Sequence, residues 1–341
     1  MRSYHLETFG TIDGIQLREQ EMPRPGPGEV LVGIKAVSLN RRDLYILHQT
    51  YPLPGRPGVI PASDGVGEVI ATGDAVTRFK KGDRVCGNYF AHWRDGRIGM
   101  DIMDQLGCTL DGMLTEYALL KEDALVHVPG HLSWEEAATL PCSALTAWSA
   151  LTAVRQVLAG DTILTIGSGG VAVFAIQFAR ALGARVISLT SKDEKTDRLK
   201  AVGANHVINY RRDEQWHKQV LALTDGRGAD LVIETGGTDT LEQSVLAAGF
   251  GSEIVLLTPQ GTIEPGKPVP LNKILSTVFV KNLRIQPVFV GSRLGFEAMN
   301  RAIAFHHIKP VIDAVFSFEE ARDAYRYMAK GEQFGKVVVR L

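Results

Sequence analysis

Asp161-Thr-Ile-Leu-Thr-Ile-Gly-Ser-Gly-Gly-Val-Ala172 joins an apolar run to a glycine turn and to the start of a second apolar run. Apolar residues reach Ile166, glycines stand at 167, 169 and 170, and a helical pattern follows from Val171 to Leu182. Strand, glycine turn and helix in that order form the fingerprint of a dinucleotide site. Gly167 allows the tight turn, and Gly169 lets the backbone approach a pyrophosphate. Small Ala172 lets helix and strand pack closely. The free N–H groups of the helix N-terminus face the phosphates. Gly167, Ser168, Gly169, Gly170 and Val171 are the candidate pyrophosphate contacts.

Downstream, β and α patterns alternate. Arg185 to Leu189 reads as a second strand, Lys195 to Val202 as a helix closed by Gly203, and His206 to Asn209 as a third strand. Gln215 to Thr224 is a helix, and Asp230–Glu234, Glu253–Leu257 and Arg284–Val290 supply strands four to six. Six strands with intervening helices predict a doubly wound parallel sheet with its ligand at the carboxyl edge. Upstream the texture differs. Ile15–Glu21, Glu29–Val37, Gly65–Ala71 and Leu114–Leu120 are strand-like, with Pro and Gly dense between them, which suggests a small β-barrel. Ser133-Trp-Glu-Glu136 is a capping box that opens a helix leading into the nucleotide domain. The tail from about 293 is helical, ends in the strand Lys336–Arg340, and is expected to return to the barrel. The domains are therefore read as 1–124 with 293–341, and 125–292.

Bulk properties narrow the function classes. The chain has 341 residues, 45% of them hydrophobic and 22% charged, as in a soluble enzyme-sized protein. A net charge of -1 gives no basic face for nucleic acid, and no apolar run approaches membrane length. Cys86, Cys108 and Cys142 are too far apart for a CxxC site or a disulfide framework, and the first ten residues lack an apolar signal core. A cytoplasmic location is expected.

An enzyme that uses NAD carries an acid at the end of the second strand, where it holds the ribose 2′-hydroxyl. Here that strand ends Ser188-Leu-Thr-Ser-Lys192, with Asp193 and Glu194 only later. Thr190, Ser191 and Lys192 offer hydroxyls and a cation to a 2′-phosphate. NADP(H) is favoured, NAD(H) stays open, and the alternative is that Ser191 caps the next helix while Lys192 is a solvated charge.

A chain of motifs then carries a resemblance. Pro25-Gly-Pro-Gly-Glu-Val30, Ser38-Leu-Asn-Arg-Arg-Asp-Leu44, Pro61-Ala-Ser-Asp-Gly-Val-Gly67 and Lys81-Gly-Asp-Arg-Val85 precede the glycine turn. Gly203-Ala-Asn-His-Val-Ile-Asn-Tyr210, Gly226-Arg-Gly-Ala-Asp230 and Gly335-Lys-Val-Val-Val339 follow it. Together these resemble the medium-chain dehydrogenase/reductase superfamily across essentially the whole chain. The resemblance implies a GroES-like N-terminal β-barrel catalytic domain and a Rossmann domain. Zinc members of that superfamily hold a catalytic metal with Cys, a His-Glu pair and a second Cys or Asp. The matching positions here are Asn40, Ser63-Asp64 and Cys142, and the four-cysteine structural lobe has no counterpart. An amide and a hydroxyl beside one thiol make a poor zinc set, so no catalytic zinc is expected.

The resemblance is therefore to the zinc-independent branch, the quinone oxidoreductases and enone reductases. It implies Asn40, Tyr45 and Tyr51 as catalytic or pocket residues in a cleft between the domains. It also implies that a Ser/Lys pair and Tyr210 hold the 2′-phosphate, that Thr146 lies beneath the nicotinamide, and that the protein is a homodimer. Arg41 and Arg42 depart from the apolar residues of those reductases, and imply either an anionic or larger substrate or a contact to the pyrophosphate. Lys336 is a candidate pyrophosphate contact or a solvated lysine. The expected activity is reduction of quinones or activated C=C bonds. An alcohol dehydrogenase or carbonyl reductase is the alternative, and a non-catalytic NADPH-binding redox sensor or structural protein the second.

Other candidates read more plainly. Cys142 is expected to be buried and inert. Tyr117 and Lys121 match Tyr-x-x-x-Lys, but on a strand that spacing separates the groups by roughly 13 Å. Nine histidines show no metal-ligand spacing, and His306-His307 reads as a surface helix end. Asp43 and Asp64 are expected in structural hydrogen bonds more than as a catalytic pair. Leu283–Val290 is an apolar sheet edge on which the dimer is expected to join.

Overall fold

The computed structural model describes residues 1–258 and 269–341 and divides into two units, Met1–Leu145 with Val290–Leu341, and Thr146–Phe289. The first opens with an antiparallel pair, β1 (Arg2–Leu6) and β2 (Ile15–Glu19). Its centre is β3 (Glu29–Leu39), a nearly unbroken apolar strand whose residues are almost all buried. Such a strand needs cover on both faces and both edges. One edge carries β4 (Asp64–Thr72) along most of its length. Between them in sequence lies a short helix, α1 (Arg41–Leu47). The sheet continues through β5 (Arg84–Gly87), while β6 (Tyr117–Lys121) takes the first half of the other edge of β3. A strand β7 (Leu125–His127) pairs with β5. The segment after residue 124, which the sequence assigned to the nucleotide domain, therefore packs with the barrel strands as far as Leu145.

The capping box forms as expected: the Glu136 N–H donates to Ser133 Oγ at 3.1 Å and the Ser133 N–H to Glu136 Oε2 at 2.8 Å. It opens α2 (Trp134–Ala138), which runs on through a π-helical turn at Leu140–Ala144 into α3 (Leu145–Ser149) and a second π turn at Ala150–Val154. Pro141 has no N–H and cannot complete an ordinary helical ladder, and a widened turn absorbs that defect.

The second unit holds a six-stranded parallel sheet. Its members are β8 (Thr162–Ile166), β9 (Arg185–Thr190), β10 (His206–Asn209), β11 (Ala229–Glu234), β12 (Ala248–Leu256) and β13 (Arg284–Pro287). The order is β10-β9-β8-β11-β12-β13. The helices α4 (Gly170–Ala181), α5 (Thr196–Ala201), α6 (His217–Leu223), α7 (Leu241–Ala247) and α8 (Leu271–Val280) alternate with the strands. All five residues of β8 are buried, as its central place requires. Strand order reverses between β8 and β11, so the ligand crevice of this doubly wound sheet lies at their carboxyl ends. There the Thr235 hydroxyl donates to the Ile166 carbonyl at 2.6 Å. Glu234, fully buried, accepts from the Gly236 and Gly237 N–H groups and from the Thr240 and Ser244 hydroxyls. Burial pushes its carboxyl up while those four donors pull the other way.

The chain then returns to the first unit. Helix α9 (Arg293–His306) ends at His307 in the left-handed conformation, φ 49°, as a helix end should. Strand β14 (Ile312–Ser317), helix α10 (Ala321–Ala329) and strand β15 (Lys336–Arg340) follow. Strand β15 takes the second half of the β3 edge, pairing Val337 with Leu39 and Val338 with Ser38, and β14 lines up parallel to it. No helix among the described residues is long and apolar enough to cross a membrane.

Candidate active site

Gly167 sits at φ 82°, a conformation that residues with a Cβ seldom adopt. Its N–H bonds to the Leu189 carbonyl at 2.9 Å, which ties the turn between β8 and α4 to the neighbouring strand β9. Gly169 is the N-cap of α4, and a Cβ there would meet nothing within 4 Å. Open space beside the N-terminus of a helix with no acid in its first turn suits a pyrophosphate. Gly170 and Val171 begin that helix, and Ser168 is buried in the turn. These residues fit the diphosphate of a dinucleotide.

The far end of that crevice differs from the expectation. Lys195, nearly buried, donates its ammonium to Ser168 Oγ at 3.0 Å. The Lys192 ammonium instead lies 3.8 Å from Glu194 and is partly exposed. Thr190 closes a local turn: its Oγ1 accepts from the Lys192 N–H at 3.2 Å and donates to the Lys192 carbonyl at 3.1 Å. Ser191 is exposed and does not cap the following turn, whose N-cap is Lys192. Asn209 pairs with Thr190 across β9 and β10, so Tyr210 stands beside the strand tip, partly buried on the domain core. Asp193 is engaged by Asn209 at 2.8 Å and by Arg212, and the Asn209 hydrogen bond leads in holding its carboxyl down. Lys195 is the residue that sequence reasoning missed. The three-residue turn Asp193–Lys195 carries it back toward the glycine turn.

In the first unit, three strand ends meet. Strand β3 ends beside Asn40, β4 begins at Asp64 opposite Ser38, and β15 begins at Lys336. Asn40 and Lys336 are both buried, with 6% and 3% of their surface exposed. The Lys336 ammonium donates to Asn40 Oδ1 at 2.5 Å, to the Leu39 carbonyl at 2.9 Å and to Ser143 Oγ at 3.3 Å. Asp64 Oδ2 lies 3.8 Å from it. Asp64 accepts from Ser63 Oγ at 2.7 Å and from the Cys142 N–H at 3.2 Å. Ser143 Oγ donates to Asn40 Oδ1 at 3.0 Å. The Asn40 Nδ2 is buried with no partner. An unpaired buried amide costs about 1–3 kcal/mol, so a partner on a ligand would recover that cost. Cys142 is partly exposed and not buried as expected, yet desolvation, and then Asp64, push its thiol up, which keeps it a thiol.

A second cluster surrounds α1. The Arg42 guanidinium lies 4.6 Å from the Tyr89 ring centre and 5.4 Å from that of Tyr51. It donates to the Leu106 carbonyl at 3.0 Å and to Gln105 Oε1 at 3.2 Å, and approaches Asp43 at 3.5 Å. Asp43 accepts from the Asn40 N–H at 2.8 Å. Burial pushes the Asp43 carboxyl up to about 6, against the pull of Arg42. Arg42 is therefore a buried structural cation, and neither of the two roles expected for it describes these contacts. Arg41 is exposed. The Tyr51 hydroxyl donates to Gln105 Oε1 at 3.0 Å and shares a 2.9 Å hydrogen bond with Tyr89. Tyr45 is half-buried on α1, and Thr146 is buried in α3. Lys121 pairs with Glu29 at 3.0 Å, away from any Tyr-Lys couple.

Residues 26–130 match the family model "Alcohol dehydrogenase GroES-like domain" and residues 170–306 match "Zinc-binding dehydrogenase". A zinc-type alcohol dehydrogenase-like protein of Schizosaccharomyces pombe is 42% identical over 99% of this chain and 98% of its own. The chain belongs to the medium-chain dehydrogenase/reductase superfamily. A quinone oxidoreductase of Pseudomonas aeruginosa is 35% identical over 70% of this chain and 67% of its own. A crystal structure of an NAD-dependent alcohol dehydrogenase matches over 100% of both chains with a TM-score of 0.89 and 31% identity. This medium-chain member has the GroES-like and Rossmann folds, and it is a nicotinamide-dependent oxidoreductase.

The zinc named by the second family model does not fit the residues of this medium-chain protein. Asn40, Ser63, Asp64 and Cys142 stand at the matching positions, and an ammonium already occupies the Asn40 oxygen. A dication there would face a buried positive charge. Among the described residues, no three His, Cys, Asp or Glu side chains gather into a metal site. Lys336 also departs from both expectations for it: all three of its protons are committed inside the barrel unit, to Asn40, Leu39 and Ser143.

Proposed function

We propose that this oxidoreductase reduces quinones or enones with NADPH and without a metal. The observation that carries this reading is the buried, unpartnered amide nitrogen of Asn40. When bound, the nicotinamide supplies a hydride to an electrophilic carbon. Asn40 donates to the carbonyl oxygen of the substrate as negative charge develops there. An alcohol substrate would need a group to take up its proton, which zinc assists in metal enzymes. A quinone or enone needs only a donor for its oxygen and a proton from solvent or a tyrosine. Tyr45 is the proton donor in this reading. Tyr51 serves as a wall, because its hydroxyl already donates to Gln105. A cytoplasmic location goes with this proposal, since all three cysteines are free.

NADPH is supported by Lys195 at the glycine turn and by Asp193, which is engaged elsewhere. NADH is the second reading, favoured by the likeness to an alcohol dehydrogenase described as NAD-dependent. The test is oxidation of both cofactors with 1,4-benzoquinone, 2-cyclohexenone and a simple ketone, before and after chelation. The expected result is turnover of quinone or enone that survives chelation, and a kcat lower by about 10²-fold in Asn40→Ala. Ketone turnover alone, with about one essential zinc per chain, would establish the alcohol dehydrogenase instead. Tight NADPH binding with no turnover would make it a cofactor-binding protein.

A further inference from the structure

We propose that Lys336, acting with Ser143, is a positioning residue that holds the Asn40 amide with its NH2 group toward the substrate. The inference rests on the reading of Asn40 as the donor to the substrate oxygen. A lysine ammonium has three protons and no lone pair, so each of its neighbours must accept. Those neighbours are the Leu39 carbonyl at 2.9 Å, Asn40 Oδ1 at 2.5 Å and Ser143 Oγ at 3.3 Å. Ser143 accepts from the lysine, so its own proton goes to Asn40 Oδ1, 3.0 Å away.

Both lone pairs of the amide oxygen are thereby filled. Turning the amide over would set its NH2 against an ammonium and a hydroxyl donor. Only one orientation survives, and in it Nδ2 faces away from both donors and is buried without a partner. Asp64, 3.8 Å from the ammonium, supplies the counter-charge and is held by Ser63 and the Cys142 N–H. A cation on the amide oxygen also draws charge from the nitrogen, which makes its N–H groups stronger donors. The charge where relatives of the zinc branch hold a metal is thus supplied by the chain itself. It acts on the substrate through one amide and does not touch it.

A double-mutant cycle of Lys336→Met and Asn40→Ala tests this, with kcat measured under saturating NADPH on 2-cyclohexenone or 1,4-benzoquinone. Each single variant is expected to lose about 10²-fold, with the KM for NADPH nearly unchanged, and the double variant to lose no more than either single one. A Lys336→Met effect that persists in full beside Asn40→Ala overturns the positioning role and leaves Asn40 as the donor. Full turnover by Asn40→Ala overturns the donor reading instead. Positioning is then judged by the amide resonances of asparagine-labelled enzyme, identified by their loss in Asn40→Asp. A shifted or doubled Asn40 NH2 signal in Lys336→Met supports positioning, and an unchanged one refutes it. If Lys336→Met does not fold, Ser143→Ala removes one of the two donors and enters both measurements in its place. Its expected loss is several-fold, and no change in either readout overturns the proposal.

Discussion

Lys192 and Lys195 show how finely a residue's role depends on local geometry. Both follow a strand tip that carries no acid, and both are lysines within one short stretch. A tight turn puts Lys195 against Ser168 and leaves Lys192 beside Glu194. If Lys195 is the cation that meets a 2′-phosphate, Lys195→Ala should weaken NADPH by roughly 1.5–3 kcal/mol more than NADH. Lys192→Ala should change both by about 0.5 kcal/mol or less, as for a partly exposed lysine paired with Glu194 at the surface. Isothermal titration with each cofactor checks both, with melting curves to confirm that the buried Lys195 site still folds. Equal losses for the two cofactors in Lys195→Ala would return the 2′ site to other residues. The composition of this stretch was legible in the sequence. Which lysine turns inward was not, because it depends on a three-residue turn that no periodicity reveals.

At the level of elements, the glycine turn separates two requirements that sequence alone merges. Gly167 is needed by the fold: its φ of 82° would strain any other residue. Gly169 has ordinary backbone angles, and a methyl there would touch nothing within 4 Å. Gly167→Ala should therefore lower stability by about 1–2 kcal/mol. Gly169→Ala should leave the melting temperature nearly unchanged and weaken the cofactor, because its Cβ enters space left for the pyrophosphate. Denaturant unfolding and cofactor titration on both variants check this, and a Gly169→Ala protein with full affinity would refute it. The inner strands of the second unit were legible because they are compact runs rich in Val, Ile and Leu, as in Thr162–Ile166 and Ala229–Glu234. In the first unit β1, β5, β7 and β14 escaped, being short and less regularly patterned. The π turn at Pro141 escaped as well, since a widened turn leaves no repeat, yet it carries Cys142, whose N–H meets Asp64.

For the whole molecule, the free edge of the parallel sheet is the feature that calls for a partner. Strand β13 pairs with β12 on one side only, and all four of its residues are exposed. Beside it in sequence, α8 leaves Leu271, Leu275 and Phe279 exposed on one stripe, with Phe279 at 87%. Monomeric proteins seldom leave a strand edge and an apolar stripe both uncovered. We propose that a second copy covers them in a two-fold dimer. Light scattering at micromolar concentration should give twice the 37.2 kDa chain mass, and Phe279→Glu with Ile285→Asp should return it to one. A monomeric wild-type protein would end this reading. Pro287, which lacks an N–H, limits how many hydrogen bonds such an edge can add.

The sequence by itself determined the two folds, the glycine turn and the family. Each of these is written in contiguous residues, in the period of apolar side chains, or in the chemistry of one position. Only the tertiary structure decided what stands at the matching site. Asn40, Asp64, Ser143 and Lys336 are scattered over nearly the whole chain, and the register of β15 against β3 brings Lys336 beside Asn40. Strand register and the path of a helix through a proline are set by packing of the entire barrel core. A lysine that sequence patterns offered to the cofactor or to solvent is thereby buried as the cation that orients an amide.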